Sequence, residues 1–305
     1  MQVIQNPRRS GKRVLVLGTF DGVHCGHRAL IRTARDYAKE NGVLLRVCTF
    51  DRHPLEVVRP DKAPPLLTSI PEKALQLCRL GVDEMELIHF DRREAEMEPE
   101  DFLASLREKL EVCAVAAGWN YTFGRYGKGN AELLREDGRR HGYDVLIEPP
   151  MTLPDGQAIS SSLIRQTLSE GKTETAAELL GYYYTLTGTV TDGKHKGHRI
   201  GFPTANVTPW HRKALPAYGV YTCLAEAGYD VWPALVNIGI QPTIPSGRIT
   251  VESHILTGNP DLYGEKVRLT LLKMLRRETR FESEEQLREQ IGKDRDEAIR
   301  LFGMA

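Results

Sequence analysis

The chain has 305 residues, about twice a common domain, so two cores or one large one are expected. Its 41% apolar and 27% charged residues fill ordinary cores and leave no apolar surplus for a bilayer, which excludes a disordered tail and a small disulfide scaffold. The 41 Lys and Arg balance the 41 Asp and Glu, so no global positive field draws a nucleic-acid backbone, and any polyanion must be held locally.

Residues 1–12 are polar and basic, lead into no signal-like apolar stretch, and no apolar run approaches the roughly 18 residues of a spanning helix. The five cysteines, Cys25, Cys48, Cys78, Cys113 and Cys223, never form a C-x-x-C pair. That fits reduced thiols, mostly small core residues, better than bridges or zinc ligands. A cytoplasmic protein is expected, with neither nucleic acid nor membrane as partner. From 13 to about 148, short apolar runs alternate with amphipathic stretches: 14–17 then 30–38, 43–50 then 73–80, 85–90 then 102–110, 112–117 then 131–141, and 145–147. This rhythm predicts a parallel sheet covered by helices on both faces. Asn41-Gly42 and Gly81 stand where helices should stop and Pro99 where one should start.

Residues 159–180 read as two short helices broken by Gly171. Beyond Gly181 the texture changes: 184–191, 219–225, 231–238, 249–256 and 266–272 are β-rich runs divided by Gly/Pro turns, which predicts a second, mostly antiparallel β domain. Residues 284–302 return to helical spacing, with Leu287, Ile291, Ala298 and Ile299 near one face, so a closing helix should pack on that β domain. The domains are expected at 1–181 and 182–305.

The first strand runs into Gly18-Thr19-Phe20-Asp21-Gly22-Val23-His24-Cys25-Gly26-His27, and a helix is expected from about Gly26. In an open α/β sheet, ligands sit beyond the strand ends, where a helix N-terminus offers free N–H groups and a positive dipole end, so phosphate is the natural guest. His24 and His27, three apart, can face one crevice and donate to oxygens that gain charge in phosphoryl or nucleotidyl transfer, with Gly26 letting a phosphate approach the backbone. A metal pair and satisfied surface histidines compete with that reading; the position directly after the first strand favours phosphate. Ser161 or Ser162 can cap a helix, and Arg165, three or four residues on, brings a guanidinium to the same turn. Asn120 either reads an adenine or ribose edge or holds a turn.

These stretches carry a resemblance. Gly18–His27 resembles the H-x-G-H signature of the nucleotidyltransferase superfamily, and F-D-G-V-H-x-G-H is similar to the bacterial bifunctional riboflavin kinase/FMN adenylyltransferase (FAD synthetase) family. Thr49-Phe50-Asp51-Arg52-His53-Pro54 with Ala63-Pro64-Pro65-Leu66-Leu67-Thr68, Gly118-Trp119-Asn120-Tyr121-Thr122-Phe123-Gly124, and Ile159-Ser160-Ser161-Ser162-Leu163-Ile164-Arg165 resemble further blocks of that family. Ser162 replaces its usual Thr and Tyr121 its commoner Phe. The resemblance implies attack of the FMN phosphate on the α-phosphorus of ATP, giving FAD and pyrophosphate. It places His24, His27 and Arg165 in catalysis, and Gly18, Phe20, Gly26, Asn120, Ser161 and Ser162 around ATP.

A second dense motif is Gly193-Lys194-His195-Lys196-Gly197-His198-Arg199-Ile200-Gly201-Phe202-Pro203-Thr204-Ala205-Asn206. Gly193, Gly197 and Gly201, interleaved with basic side chains, make a loop whose N–H groups can fold around phosphates. In an extended chain Thr204 and Asn206 project to one face, where a hydroxyl and an amide oxygen can help hold magnesium and ATP. No Walker loop is present, and a hairpin with solvated lysines or a short RNA-binding patch are the competing readings. Gly201–Asn206 resembles the G-F-P-T-A-N hallmark of riboflavin kinases. Asn237–Thr243, Val251-Glu252-Ser253-His254-Ile255-Leu256 and Leu262-Tyr263-Gly264 are similar to the family's later blocks, with Asp192, His198 and Gln241 as departures. The resemblance makes Glu252 the base that takes the riboflavin 5′-hydroxyl proton.

The expected architecture is thus an α/β Rossmann-like nucleotidyltransferase domain followed by an antiparallel β-barrel riboflavin kinase domain with a C-terminal helix, six strands being implied by the family alone. The expected function is bifunctional: riboflavin to FMN, then FMN to FAD, with ATP and Mg2+. An enzyme with one active half or another phosphate acceptor, and a non-catalytic flavin- or RNA-binding regulator, are the alternatives.

Overall fold

The computed structural model describes residues 1–4, 11–109, 111–191, 204–240, 249–258 and 260–304. The chain divides into two compact units, Met1–Ser161 and Ser162–Ala305. The first is built from β1 (Gln2–Ile4), β2 (Lys12–Leu17), α1 (Cys25–Glu40), β3 (Leu44–Phe50), α2 (Leu55–Val58), α3 (Ile70–Arg79), β4 (Glu84–Ile88), α4 (Arg92–Glu96), α5 (Pro99–Lys109), β5 (Glu111–Gly118), α6 (Ala131–His141) and β6 (Asp144–Glu148). Its six strands run parallel in the order β1-β4-β3-β2-β5-β6. Strand alternation splits the apolar runs between two cores. Val14, Val16, Leu45, Val47 and Met85 join Leu30, Ile31 and Ala34 of α1, while Leu15, Leu17, Val115 and Ala117 join Phe102, Leu103, Leu106 of α5 and Leu134 of α6.

From β2 the chain steps to β3 on one side, and from β4 it crosses back to β5 on the other. The strand order therefore reverses beside β2, and the crevice beyond the ends of β2 and β5 is where such sheets hold ligands. The two stretches singled out in the sequence, 18–27 and 118–124, follow these two strands.

The second unit contains α7 (Ser161–Ser169), whose first residue ends the first unit, and α8 (Thr173–Leu180). Then come β7 (Thr185–Thr191), β8 (Ala205–Pro209), β9 (Gly219–Ala227), β10 (Asp230–Ile240), β11 (Ile249–Ile255), β12 (Lys266–Arg277) and α9 (Glu284–Leu301). The strands close into an antiparallel barrel in the order β10-β11-β8-β7-β12-β9. Leu186, Val190, Val207, Cys223, Val236, Ile238, Val251, Leu269 and Leu271 are buried, alternating along their strands with more exposed residues. The Thr173 hydroxyl donates to the Leu272 carbonyl at 3.1 Å, which fixes the start of α8 to β12.

α9 packs as expected on the barrel, but through a different set of residues. Of Leu287, Ile291, Ala298 and Ile299 only Ala298 is fully buried, against Val220 and Leu235. The other buried member is Asp294, which accepts both hydrogen bonds from Arg276 Nε at 3.0 Å and lies 2.9 Å from its Nη2. A bidentate ion pair thus does part of the work expected of apolar packing. Among the described residues no helix is long and apolar enough to cross a membrane. All five cysteines are free, yet only Cys48 and Cys223 are buried, Cys25 and Cys113 being partly buried and Cys78 exposed.

Candidate active sites

The loop after β2 is strained and tightly tied. Phe20 and Val23 have φ of 49° and 42°, a region that side chains, and β-branched ones above all, rarely adopt; such strain persists only where the surroundings over-determine it and clusters at functional sites. Both residues are wholly buried. The buried Asp21 carboxylate accepts from the N–H groups of Leu67 and Thr68 at 2.9 and 3.1 Å, while the Thr68 hydroxyl accepts from Gly22 N–H at 3.1 Å. Thr68 precedes α3, whose start is fixed by a capping box between Ser69 and Glu72.

α1 begins at Cys25, one residue before the expected Gly26, because His24 is its N-cap: His24 Nδ1 accepts from His27 N–H at 3.4 Å. The two imidazoles stack with centroids 3.7 Å apart, and the Phe20 ring lies 5.0 Å from that of His27. A Cβ on Gly26 would come within 3.3 Å of the His24 ring, so glycine lets that ring lie over the first helical turn. Burial pushes the His24 pKa down to about 4 against the pull of Asp21. His27 is driven well below its ordinary value by burial, by His24 and by the Lys73 ammonium. Both are therefore neutral at pH 7. With Nδ1 accepting, neutral His24 carries its proton on Nε2, so it enters the crevice as a hydrogen-bond donor and not as a cation.

Lys73 comes from α3 and is buried. Its Nζ donates to the Thr19 carbonyl at 2.7 Å and to the Thr49 hydroxyl at 3.1 Å, and that hydroxyl donates to the same carbonyl at 3.0 Å. Burial lowers its pKa to about 8, opposed by Asp21. The sequence reading did not single out Asp21, Thr68 or Lys73. A signal existed: Lys73 stands on the stripe of Leu77 and Leu80, where an apolar residue is expected.

Gly18, Phe20, His24, Gly26 and His27 thus share the loop after β2 and the first turn of α1. Asn120 lies just past β5, in the turn closed by Tyr121 N–H on the Gly118 carbonyl at 3.0 Å, and is exposed. Ser161 and Ser162 are not the N-cap of α7. They are its first two residues, and the Ser161 hydroxyl donates instead to the Asp21 carbonyl at 2.8 Å, tying that serine to the histidine loop. Ser162 is exposed and Arg165 partly buried on the same helix, within the second unit.

In the barrel, Gly193, Gly197 and Gly201 lie outside the described residues. Asn206 of β8 and Asn237 of β10 both stand opposite Glu252 of β11 in register, and Thr191 of β7 is opposite Asn206. Paired residues point to the same face, with Cβ atoms about 4.5–5.5 Å apart. Four polar side chains from four adjacent strands therefore line one strip, on the face opposite the buried Val207, Val251 and Ser253. Asn237 and Thr191 were not chosen from the sequence, since only the register brings them to Glu252. Thr204, immediately before β8, lines a small cavity of about 70 Å³ with Val190, Ala205, Ser253, Leu262 and Tyr263. Among the described residues no three His, Cys, Asp or Glu side chains cluster as a metal site.

The FAD synthetase family model matches residues 6–163, and the riboflavin kinase model matches residues 180–302. The bifunctional riboflavin kinase/FMN adenylyltransferase of Escherichia coli K12 is 37% identical over 293 residues, 95% of this chain and 93% of that one. The chain belongs to the bifunctional riboflavin kinase/FMN adenylyltransferase family. The Bacillus subtilis 168 member is also 37% identical, over 95% of this chain and 93% of its own. A solved structure from Streptococcus pneumoniae, described as a macrolide-efflux protein, aligns with a TM-score of 0.87 at 32% identity, covering 96% of this chain and 97% of that one.

Proposed function

We propose that this riboflavin kinase and FMN adenylyltransferase makes FMN at the Asn206/Glu252 strip of the barrel and FAD at the His24/His27 loop of the α/β unit, using ATP at both. The observation that carries the reading is that each unit has its own constellation of polar side chains suited to a different phosphate reaction. In adenylyl transfer, an FMN phosphate oxygen attacks the α-phosphorus of ATP and pyrophosphate leaves. The nucleophile is already an anion, so the site has to position and neutralise rather than remove a proton. Neutral His24, donating from Nε2 at the positive end of α1, suits the developing charge, and Arg165 supplies a permanent cation to the phosphates. Gly18, Phe20, Gly26, Asn120, Ser161 and Ser162 complete the ATP site in this reading.

Riboflavin brings a neutral hydroxyl, so the kinase needs a base. Glu252 takes the 5′-hydroxyl proton as that oxygen attacks the γ-phosphorus and ADP leaves. The Asn206 amide oxygen, beside that carboxylate, and the Thr204 hydroxyl are hard oxygen donors of the kind Mg2+ takes. When bound, the ion offsets phosphate charge; Gly193, Gly197 and Gly201, outside the described residues, belong to the ATP site in this reading. We place the functional boundary at 181/182, near the start of the kinase match at residue 180, with α7 and α8 as the connector. Free thiols throughout suit a reducing, cytoplasmic setting.

The test is a chromatographic time course of purified protein with riboflavin, ATP and Mg2+. FMN should rise first and FAD later. FMN alone marks one active half, and flavin binding without turnover marks a regulator. Glu252→Gln should abolish riboflavin phosphorylation and spare adenylylation of supplied FMN, while His27→Ala should do the reverse. Loss of both products in either folded variant contradicts the assignment.

A further inference from the structure

We propose that Lys73 is a positioning residue for adenylyl transfer: its buried ammonium holds the histidine loop through the Thr19 carbonyl and supplies a fixed positive charge beneath the polyphosphate of ATP. The proposal rests on placing that reaction at the His24/His27 loop.

A buried cation needs a partner, since the cost of removing it from water is recovered only by ion pairing and hydrogen bonds. Lys73 forms two hydrogen bonds, to Thr19 O and Thr49 Oγ1. Among the described residues its third N–H has no acceptor and no carboxylate lies within ion-pair distance. The charged or titratable groups facing it are Asp21 from the loop after β2 and His27 from α1, and β3 presents the neutral Thr49. Asp21 supports the ammonium through space but makes no direct ion pair with it, its oxygens accepting from the N–H groups of Leu67 and Thr68. The remaining N–H of the ammonium is the donor an anionic ligand would take. Lys73 also bonds directly to the loop that carries His24 and His27, so displacing it moves their donors.

The ammonium has a second consequence. Its pKa of about 8 puts its deprotonation in a range where neither histidine titrates. Since kcat/KM for ATP reports the enzyme form that meets ATP, it should decline in FMN adenylylation as pH rises above about 8, when the charge is lost. Lys73→Arg keeps a charge that cannot be titrated there, so its profile should stay level through that range. Lys73→Met should be about 100-fold slower, the scale of a small misplacement of reacting groups, and should lack the alkaline decline.

The experiment measures the three profiles with saturating FMN, alongside riboflavin phosphorylation, which should be unchanged in all. An alkaline decline that persists in Lys73→Arg, or a level wild-type profile, overturns the proposal. If Lys73→Met fails to fold, the wild-type and Lys73→Arg profiles still decide. Failure of the site assignment itself would show separately, as normal adenylylation by His27→Ala.

Discussion

His24 shows how burial fixes protonation at a single residue. Folded, it takes a proton only near pH 4; unfolded, it does so near 6.5. Between those values the unfolded chain binds the proton and the folded chain does not, so stability falls as pH drops from 6.5 to 4, and above 6.5 the contribution is complete. At 1.36 kcal/mol per pKa unit the loss is on the order of 3 kcal/mol, and His27 adds to it in the same direction. Urea midpoints of the α/β unit measured across this range should fall with pH, and His24→Asn, whose side chain still caps α1, should flatten the slope. An unchanged slope would mean that His24 is not the group held neutral. The pair His24 and His27 was legible because their spacing and their place after a strand are local facts. Their neutrality was not, because it comes from burial in the folded unit and, for His27, also from the Lys73 ammonium, which arrives from α3. The expected cap by Ser161 or Ser162 failed for a related reason, since a carbonyl 140 positions away, that of Asp21, takes the Ser161 hydroxyl.

At the scale of elements, strands with a continuous apolar run were legible and those without were not. β1 is three residues at the sheet edge, paired only with β4, too short to show a period. β8 reads Ala-Asn-Val-Thr-Pro, in which only Val207 is buried. β12 continues past the expected 272 because register shifts between Leu271 and Lys273 and between Met274 and Arg276 break its alternation. The sheet also contains ionic pairing that no periodicity reveals. Buried Glu84 of β4 receives Arg13 Nε of β2 at 2.9 Å and Arg46 Nη2 of β3 at 2.6 Å, and Arg46 Nη1 reaches Glu86 at 3.2 Å. Burial raises the Glu84 pKa, but the bonds from Arg13 and Arg46 outweigh it and hold it below the ordinary value. Glu84→Gln would remove the carboxylate that two buried guanidinium groups share, at a cost of about 3–5 kcal/mol. Hydrogen exchange along β2, β3 and β4 should accelerate accordingly, and a loss below about 1 kcal/mol would show that the network is not a structural support.

Across the whole molecule, the histidine loop lies in the FAD synthetase match, residues 6–163, and the Asn206/Glu252 strip in the riboflavin kinase match, residues 180–302. The two products are also chemically linked, because the FMN made by the kinase is the nucleophile of the adenylyltransferase. It follows that the two single-site variants should complement one another. Glu252→Gln makes no FMN but retains the histidine loop; His27→Ala makes FMN and stops there. Alone, neither should convert riboflavin to FAD. Mixed with riboflavin, ATP and Mg2+, they should form FAD after a lag that shortens as the His27→Ala protein is increased, because FMN released by one molecule then feeds the other. Supplying FMN directly should abolish the lag for Glu252→Gln and do nothing for His27→Ala. A mixture that accumulates FMN without FAD, while Glu252→Gln still adenylylates added FMN, would show that the nucleophile is not released at a useful concentration. A mixture that makes neither would show that the residues of one site are needed by the other.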